Sequence, residues 1–264
     1  MKTLKFKTLL IAIVSAVTFS SCLDDSDTTD YPNYSSYVTV SGDGAFGYTF
    51  YSDFGCTLMP TSQSITEVMP GLSKANAKRL LIAFDLASES ENGKPLEAGK
   101  TYQIIVKSAY GYNIEVPTYE TIDTYSNQAA VDSLTSKNCM INYANNNIWA
   151  ANGYANAEMT ILYDYEKRFY MNTYYDHEKD IDLENGTMYL NIYYNNNSKN
   201  AYQTGRSVFS FSLPQSAAAQ FLTNGFSSTD SIQLVMRAIK DYDMTLQKVG
   251  ECKMAIKDFY KPGF

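Results

Sequence analysis

The chain is 264 residues long, 45% hydrophobic and 19% charged, with a formal net charge of −7. That length can bury one large core or two modest ones, and the acidic balance argues against a phosphate backbone as partner. Aromatic residues make up 14%, with 23 Tyr against a single Trp, a composition suited to pleated, half-buried surfaces and hence to an all-β fold.

Lys2, Lys5 and Lys7 open the chain, followed by the apolar run Thr8 to Phe19 (TLLIAIVSAVTF). The run is too short to cross a bilayer core, which needs about 20 residues, and matches the apolar region of a secretory signal peptide. Phe19-Ser20-Ser21-Cys22 resembles the lipobox of bacterial lipoproteins. The resemblance implies a signal peptide over residues 1–21, cleavage before Cys22, and fatty acylation (palmitate among the acyl groups) of its sulfur and new amino terminus. About three acyl chains give a stable membrane anchor where one gives only marginal binding. An ordinary secretory signal with a cysteine at its cleavage site is the alternative.

Residues 22–36 begin with Leu23-Asp24-Asp25-Ser26-Asp27-Thr28-Thr29-Asp30, too polar to bury apolar area, and read as a solvated tether. The acids resemble the export tag that sends some Gram-negative lipoproteins to the cell surface; a plain linker has the same composition. Either way the expected location is the cell envelope, on the outer membrane, surface-exposed or periplasmic. Beyond Cys22 only Cys56, Cys139 and Cys252 remain, neither a disulfide framework nor a metal-ligand set. At most one bridge can form, and isolated buried thiols are the simpler state.

Residues 37–122 are expected to form a small OB-like β-barrel. The segment YVTVSGDGAFGYTFYSDFGCTLMP alternates, with Phe46, Tyr48 and Phe50 on one face and hairpin-turn residues at Ser52 to Gly55. Pro60 to Gly71 reads as an irregular connection, with short helical character possible at Ser73 to Lys78. RLLIAFDL, Arg79 to Leu86, is apolar on both faces, as an interior strand requires. Glu89 to Gly99 reads as a loop. Tyr102 to Lys107 and Tyr112 to Val116 read as a strand pair turning at Ala109-Tyr110-Gly111. About five short strands suit a barrel better than a sandwich.

Composition turns polar near Thr118 to Lys137, and a domain boundary is expected around Ile122 to Asn127. Residues 123–264 are expected to form an antiparallel β-sandwich. Its strands are Met159 to Tyr165, Phe169 to Tyr175, Met188 to Tyr194, Ser207 to Leu213, Ile232 to Ile239 and Cys252 to Ile256. The alternation places Phe209, Phe211 and Leu213 inward, with Ser210 and Ser212 facing solvent. Pro214 to Leu222 (PQSAAAQFL) is the one helical candidate, with Pro at the first turn.

The lipobox followed by acids, the first-domain stretches GYTFYSDFGCTLMP and KRLLIAFDL, and the Tyr/Asn-rich segment from SLTSKNCMINYANNNIWAANGY together resemble the NigD-like lipoproteins. The resemblance covers nearly all of the chain after Cys22 and rests on layout. It implies an OB-type barrel followed by a β-sandwich and a surface or periplasmic lipoprotein. An interaction or bacteriocin-immunity role is implied, with no catalytic residues and no cofactor. The scarcity of Trp departs from any aromatic binding surface carried over from that family.

Several fragments point elsewhere. Gly42-Asp43-Gly44-Ala45-Phe46-Gly47 spells the dinucleotide fingerprint, but a strand follows where the motif needs a helix to receive the pyrophosphate, so a hairpin is expected. His177 is the only histidine; any triad or Cys–His pair would have to use it, and its polar surroundings suit an exposed loop. Asp176, Glu178, Asp180, Asp182 and Glu184 recur every second residue. An extended chain would align them for calcium, whereas a solvated charged loop avoids their repulsion.

Asn145 to Asn147, Asn195 to Asn197, Tyr174-Tyr175 and Tyr193-Tyr194 combine amides with aromatic faces, the chemistry that holds sugars. Turn formation explains the Asn triplets equally. Asp27-Thr28-Thr29, Asp132-Ser133-Leu134 and Asp230-Ser231-Ile232 resemble the O-glycosylation sites of some Gram-negative anaerobes. The expected activity is binding rather than catalysis, at a membrane reached through Cys22, with a protein or glycan ligand and no nucleic acid. A carbohydrate-binding accessory lipoprotein is the alternative reading.

Overall fold

RLLIAFDL is the strand around which the first half of the molecule closes. In the computed structural model, which describes residues 31–43, 47–70, 78–110, 115–121, 141–198, 203–239 and 245–262, it forms β4 (Arg79–Leu86). β4 pairs with β1 (Tyr34–Asp43) on one side and β5 (Thr101–Tyr110) on the other. With β2 (Gly47–Ser52) and β3 (Thr57–Pro60) these strands form a closed barrel in the order β1-β2-β3-β5-β4, the Greek-key arrangement of an OB-fold. Phe50, Leu58, Leu80, Ile82, Phe84 and Ile104 fill it, all fully buried. Each such side chain contributes roughly 1.5–3 kcal/mol by leaving water.

Three features of this half differ from the sequence expectation. β1 begins at Tyr34, inside residues 22–36 read as a solvated tether, and Ser36 is buried where it pairs with Ile82. The connection after Pro60 is not irregular: α1 (Ser62–Val68) forms there, capped by the Thr61 hydroxyl, which accepts from the Ser64 amide. One short apolar strip, Ile65 and Val68, packs on the barrel core, and seven residues are too few for that strip to stand out as a period. Nor does Glu115–Val116, the part of the expected strand Tyr112 to Val116 that lies within the described residues, pair with β5. β5 runs on through Tyr110, and β6 (Glu115–Val116) joins a different sheet by pairing with β13 (Gln203–Ser212). Helical character at Ser73 to Lys78 falls almost wholly outside the described residues.

The second half stacks two sheets. One has the order β6-β13-β9-β8, with β8 (Ile141–Ala151) and β9 (Tyr154–Tyr163). The other has the order β15-β14-β12-β10-β7, from β7 (Thr118–Thr121), β10 (Tyr170–Asp176), β12 (Thr187–Asn195), β14 (Ser231–Ile239) and β15 (Leu246–Ala255). A two-residue strand, β11 (Ile181–Asp182), adds to β12. Antiparallel pairing holds for β8–β9–β13, β10–β12 and β14–β15, while β7–β10, β12–β14 and β6–β13 run parallel. The fold is therefore all-β, an OB-like barrel followed by a β-sandwich.

Alternation along the sandwich strands is as read: Met171, Thr173 and Tyr175 face inward, as do Met188, Leu190 and Ile192, and Phe209 and Phe211. The helix after Pro214 also forms, as α2 (Gln215–Thr223), and sends Ala217, Ala218 and Phe221 into the same core. Strands change from barrel to sandwich between residues 110 and 115, whereas the sequence drew its line near residue 122. Residues Pro32–Phe264 nonetheless form one compact unit.

Candidate functional site

A polar network centred on one arginine joins the two halves. Arg79 opens β4, is 1% exposed, and spends all five of its N–H donors. Nη1 and Nη2 grip the Asp53 carboxylate at 2.8 and 2.7 Å, and Nη1 also reaches Thr39 Oγ1 at 3.0 Å. Across the seam, Nε donates to Ser210 Oγ at 3.2 Å and Nη2 to Asn156 Oδ1 at 2.8 Å. From the sandwich side the indole of Trp149 donates to Asp53 at 2.8 Å, and Asn152 donates to the Tyr51 and Ser52 carbonyls. The Tyr154 ring lies 4.9 Å from the guanidinium; burial, with Glu115 beside it, pushes that phenol well above its usual range.

Ser210 was expected in solvent. Its alternation was right, because it does lie on the outer face of its sheet, but the barrel covers that face and leaves Ser210 and Asn156 fully buried. No sequence signal marks this, since the cover comes from residues 131 positions away.

The remaining candidates fall as follows. Cys22, the tripeptides at Asp27 and Asp132, and Cys139 lie outside the described residues. Gly42 takes φ +90 and pairs in a β1–β2 hairpin (Gly42↔Tyr48), in keeping with the hairpin reading. Cys56 and Cys252 are free thiols; burial pushes Cys56 up and Cys252 up to about 12. In the third tripeptide Ser231 is exposed at the start of β14, Ile232 is buried, and Asp230 accepts from the Ser227 amide.

The five acids between Asp176 and Glu184 are not aligned. The chain turns after Asp176, with the Asp180 amide donating back to the Asp176 carbonyl. Asp180 is folded onto the sandwich, 4% exposed, taking bonds from Arg237, Asn191 and the Asp176 amide. Burial pushes its carboxyl up despite those partners. Asp182 instead caps Asn185, which holds it below the usual range. His177 is partly exposed, 3.9 Å from Glu178, and its carbonyl accepts from Gln220.

The Tyr and Asn groups divide between core and surface. Tyr175 and Tyr194 are interior, with Tyr175 donating to Gln220 and Tyr194 to the Leu162 carbonyl. The Asn195 and Asn196 side chains accept from the amides two residues on, and Asn197 takes φ +51, so this triplet makes a turn. The outer face of β10–β12 is different. Its register pairs Tyr170↔Asn195, Asn172↔Tyr193 and Tyr174↔Asn191, and because alternate residues share a face these form a checkerboard of rings and amides. Tyr119 lies opposite Tyr174 on β7 and is 41% exposed; Tyr170 is 51% exposed, with the Arg168 guanidinium 5.9 Å from its ring.

No family model matches the chain and no curated protein matches it. Solved structures do. A NigD-like immunity protein from Bacteroides caccae ATCC 43185 superposes with a TM-score of 0.52 at 16% identity, over 84% of this chain and 97% of that one. The chain shares its fold with a NigD-like immunity protein. A lipoprotein from Bacteroides fragilis NCTC 9343 matches at TM-score 0.53 and 11% identity, over 84% and 97% of the two chains. A toxin-related protein from Parabacteroides distasonis ATCC 8503 matches at 0.55 and 16%, over 85% and 94%. The NigD-like fold thus spans the barrel and the sandwich together. Among the described residues no helix is long and apolar enough to cross a membrane.

Proposed function

We propose that this protein is a non-enzymatic lipoprotein of the cell envelope, anchored through acylated Cys22 and acting by binding, in an interaction or bacteriocin-immunity-like role. The observation that carries the reading is the conjunction of a lipobox at Phe19 to Cys22 with a NigD-like fold over the remaining body. The acidic tether supplies reach: the roughly ten residues between Cys22 and Pro32 span at most about 35 Å, so the body stands off the membrane without leaving it. Its buried ionic groups serve the architecture, since Arg79 and Asp53 tie barrel to sandwich and Arg237 and Asp180 pin a turn. Acidic balance and the absence of a basic stripe in the sequence disfavour nucleic acid.

Metabolic labelling with an alkyne fatty acid tests the anchor. The wild type should take up label and fractionate with the outer membrane, and Cys22→Ala should lose both. A Cys22→Ala protein that still labels would overturn the reading. Survival of a bacteriocin-sensitive strain expressing the wild type, compared with Cys22→Ala, tests the immunity role.

The exposed edge of the Tyr–Asn checkerboard favours a second reading, a carbohydrate-binding accessory lipoprotein, because the Tyr170 ring, which can stack on a sugar face, stands beside the Asn172 amide, which can bond hydroxyls.

A further inference from the structure

We infer that the exposed edge of that checkerboard is a binding site for an acidic polysaccharide, one carrying uronate carboxylates; the inference rests on the carbohydrate reading. Three features of the β7–β10 side support it.

Tyr119, Tyr170 and Asn172 there are accessible. Tyr119 and Tyr170 are exposed, Asn172 is half-buried between them, and among the described residues neither the Asn172 amide nor the two phenol hydroxyls has a hydrogen-bond partner. Elsewhere on the same face the corresponding groups are spent: Asn191 bonds Asp180 and Arg237. A solvent-accessible amide without a protein partner can bond a ligand hydroxyl in place of water.

The geometry suits a chain rather than a single sugar. Tyr170, Asn172 and Tyr174 stand on one face of β10 at intervals of about 6.8 Å, and Tyr119 widens the row by a strand. A flat polymer laid along β10 meets ring, amide, ring.

Charge decides the class. Two carboxylates at the end of this face are engaged, Asp176 by Lys179 at 3.3 Å and Asp180 by Arg237. Arg168 is exposed, lies 5.9 Å from the centre of the Tyr170 ring, and has no carboxylate partner among the described residues. An unpaired guanidinium beside a ring offers a planar fork to a carboxylate. On a chain of net charge −7, such a local positive group selects an acid-bearing ligand against the general field.

Affinity electrophoresis of the full-length protein in detergent, through gels containing polygalacturonate or neutral dextran, tests this. Retardation by polygalacturonate should exceed that by dextran and weaken with salt. Tyr170→Ala and Arg168→Ala should each weaken it at least tenfold with melting temperatures unchanged, while Phe54→Ala on the barrel leaves it intact. Wild-type retardation that both variants retain would overturn this site while leaving the carbohydrate reading standing. No retardation by either polymer would overturn both. Equal retardation by polyglutamate would show that any polyanion suffices and would overturn the glycan assignment.

Discussion

Arg79 in the barrel and Asn156 in the sandwich, 77 residues apart in sequence, are joined by a 2.8 Å hydrogen bond in a fully buried seam. The same guanidinium holds Asp53 bidentately, so one side chain connects the barrel's own turn to the outer face of the neighbouring sheet. A buried charge network of this kind adds little net stability when intact and costs much when broken, because removing one member strands the others.

Arg79→Ala should therefore destabilise the protein by about 3–5 kcal/mol. Arg79→Lys should also be damaging, since three donors on a point charge cannot replace a five-donor fork. Urea denaturation measures both; a loss below about 1 kcal/mol for Arg79→Ala would contradict the role assigned to the seam.

Trp149 is the only tryptophan, and its indole bonds Asp53 across the seam. Its fluorescence thus reports barrel–sandwich separation, while far-ultraviolet circular dichroism reports the strands of both halves. If the seam couples them, the two signals trace one transition with one midpoint. Fluorescence changing at lower urea than dichroism would show the halves parting first.

Two carboxyls should give opposite pH signatures. Burial raises the Asp85 carboxyl, but the amide and side chain of Asn33, with Lys107, outweigh it and leave it lowered. Asp85 therefore stabilises the fold above its unfolded pKa, and that contribution is lost as pH falls through the folded value. Asp180 is raised by burial, so its folded form holds a proton more readily, and stability declines as pH rises from the unfolded value through the folded one. Stability measured from pH 3 to 7 should lose less at acid in Asp85→Asn than in the wild type. Asp180→Asn should lack the decline on the rising side.

Gly42 takes φ +90, and a Cβ there would sit 2.3 Å from the Gly47 carbonyl oxygen. Gly42→Ala should cost about 1–3 kcal/mol through backbone strain alone, visible as a lowered melting temperature. Gly93→Ala, also at positive φ but with open space around it, should cost less.

How much of this could be read beforehand depended on the kind of residue. RLLIAFDL could not be solvated on either face, so it had to be an interior strand, and it is. The strands holding Met171, Leu190 and Phe211 alternate cleanly enough to fix their inner faces. α1 was missed because its apolar strip spans barely one turn. β7 was missed because four residues carry no period, and β6, expected within Tyr112 to Val116, takes its partner from a distant strand that no local pattern names. The acids from Asp176 to Glu184 read as a solvated loop or an aligned row; the chain turns after Asp176, and Asp180 is buried against Arg237 and Asn191, which no spacing foretold.

The sequence by itself determined the strand faces, the all-β class and the hairpin at Gly42, because burial of apolar side chains and the conformational limits of glycine act locally. It also carries the stretch Phe19 to Cys22 that resembles a lipobox. Only the tertiary structure decided which polar residues are interior and which tyrosines remain at the surface. Ser210, Asn156 and Asn172 all sit on outer faces by alternation, yet a barrel covers the first two and not the third. That difference comes from packing between segments far apart in the chain, and no local pattern encodes it.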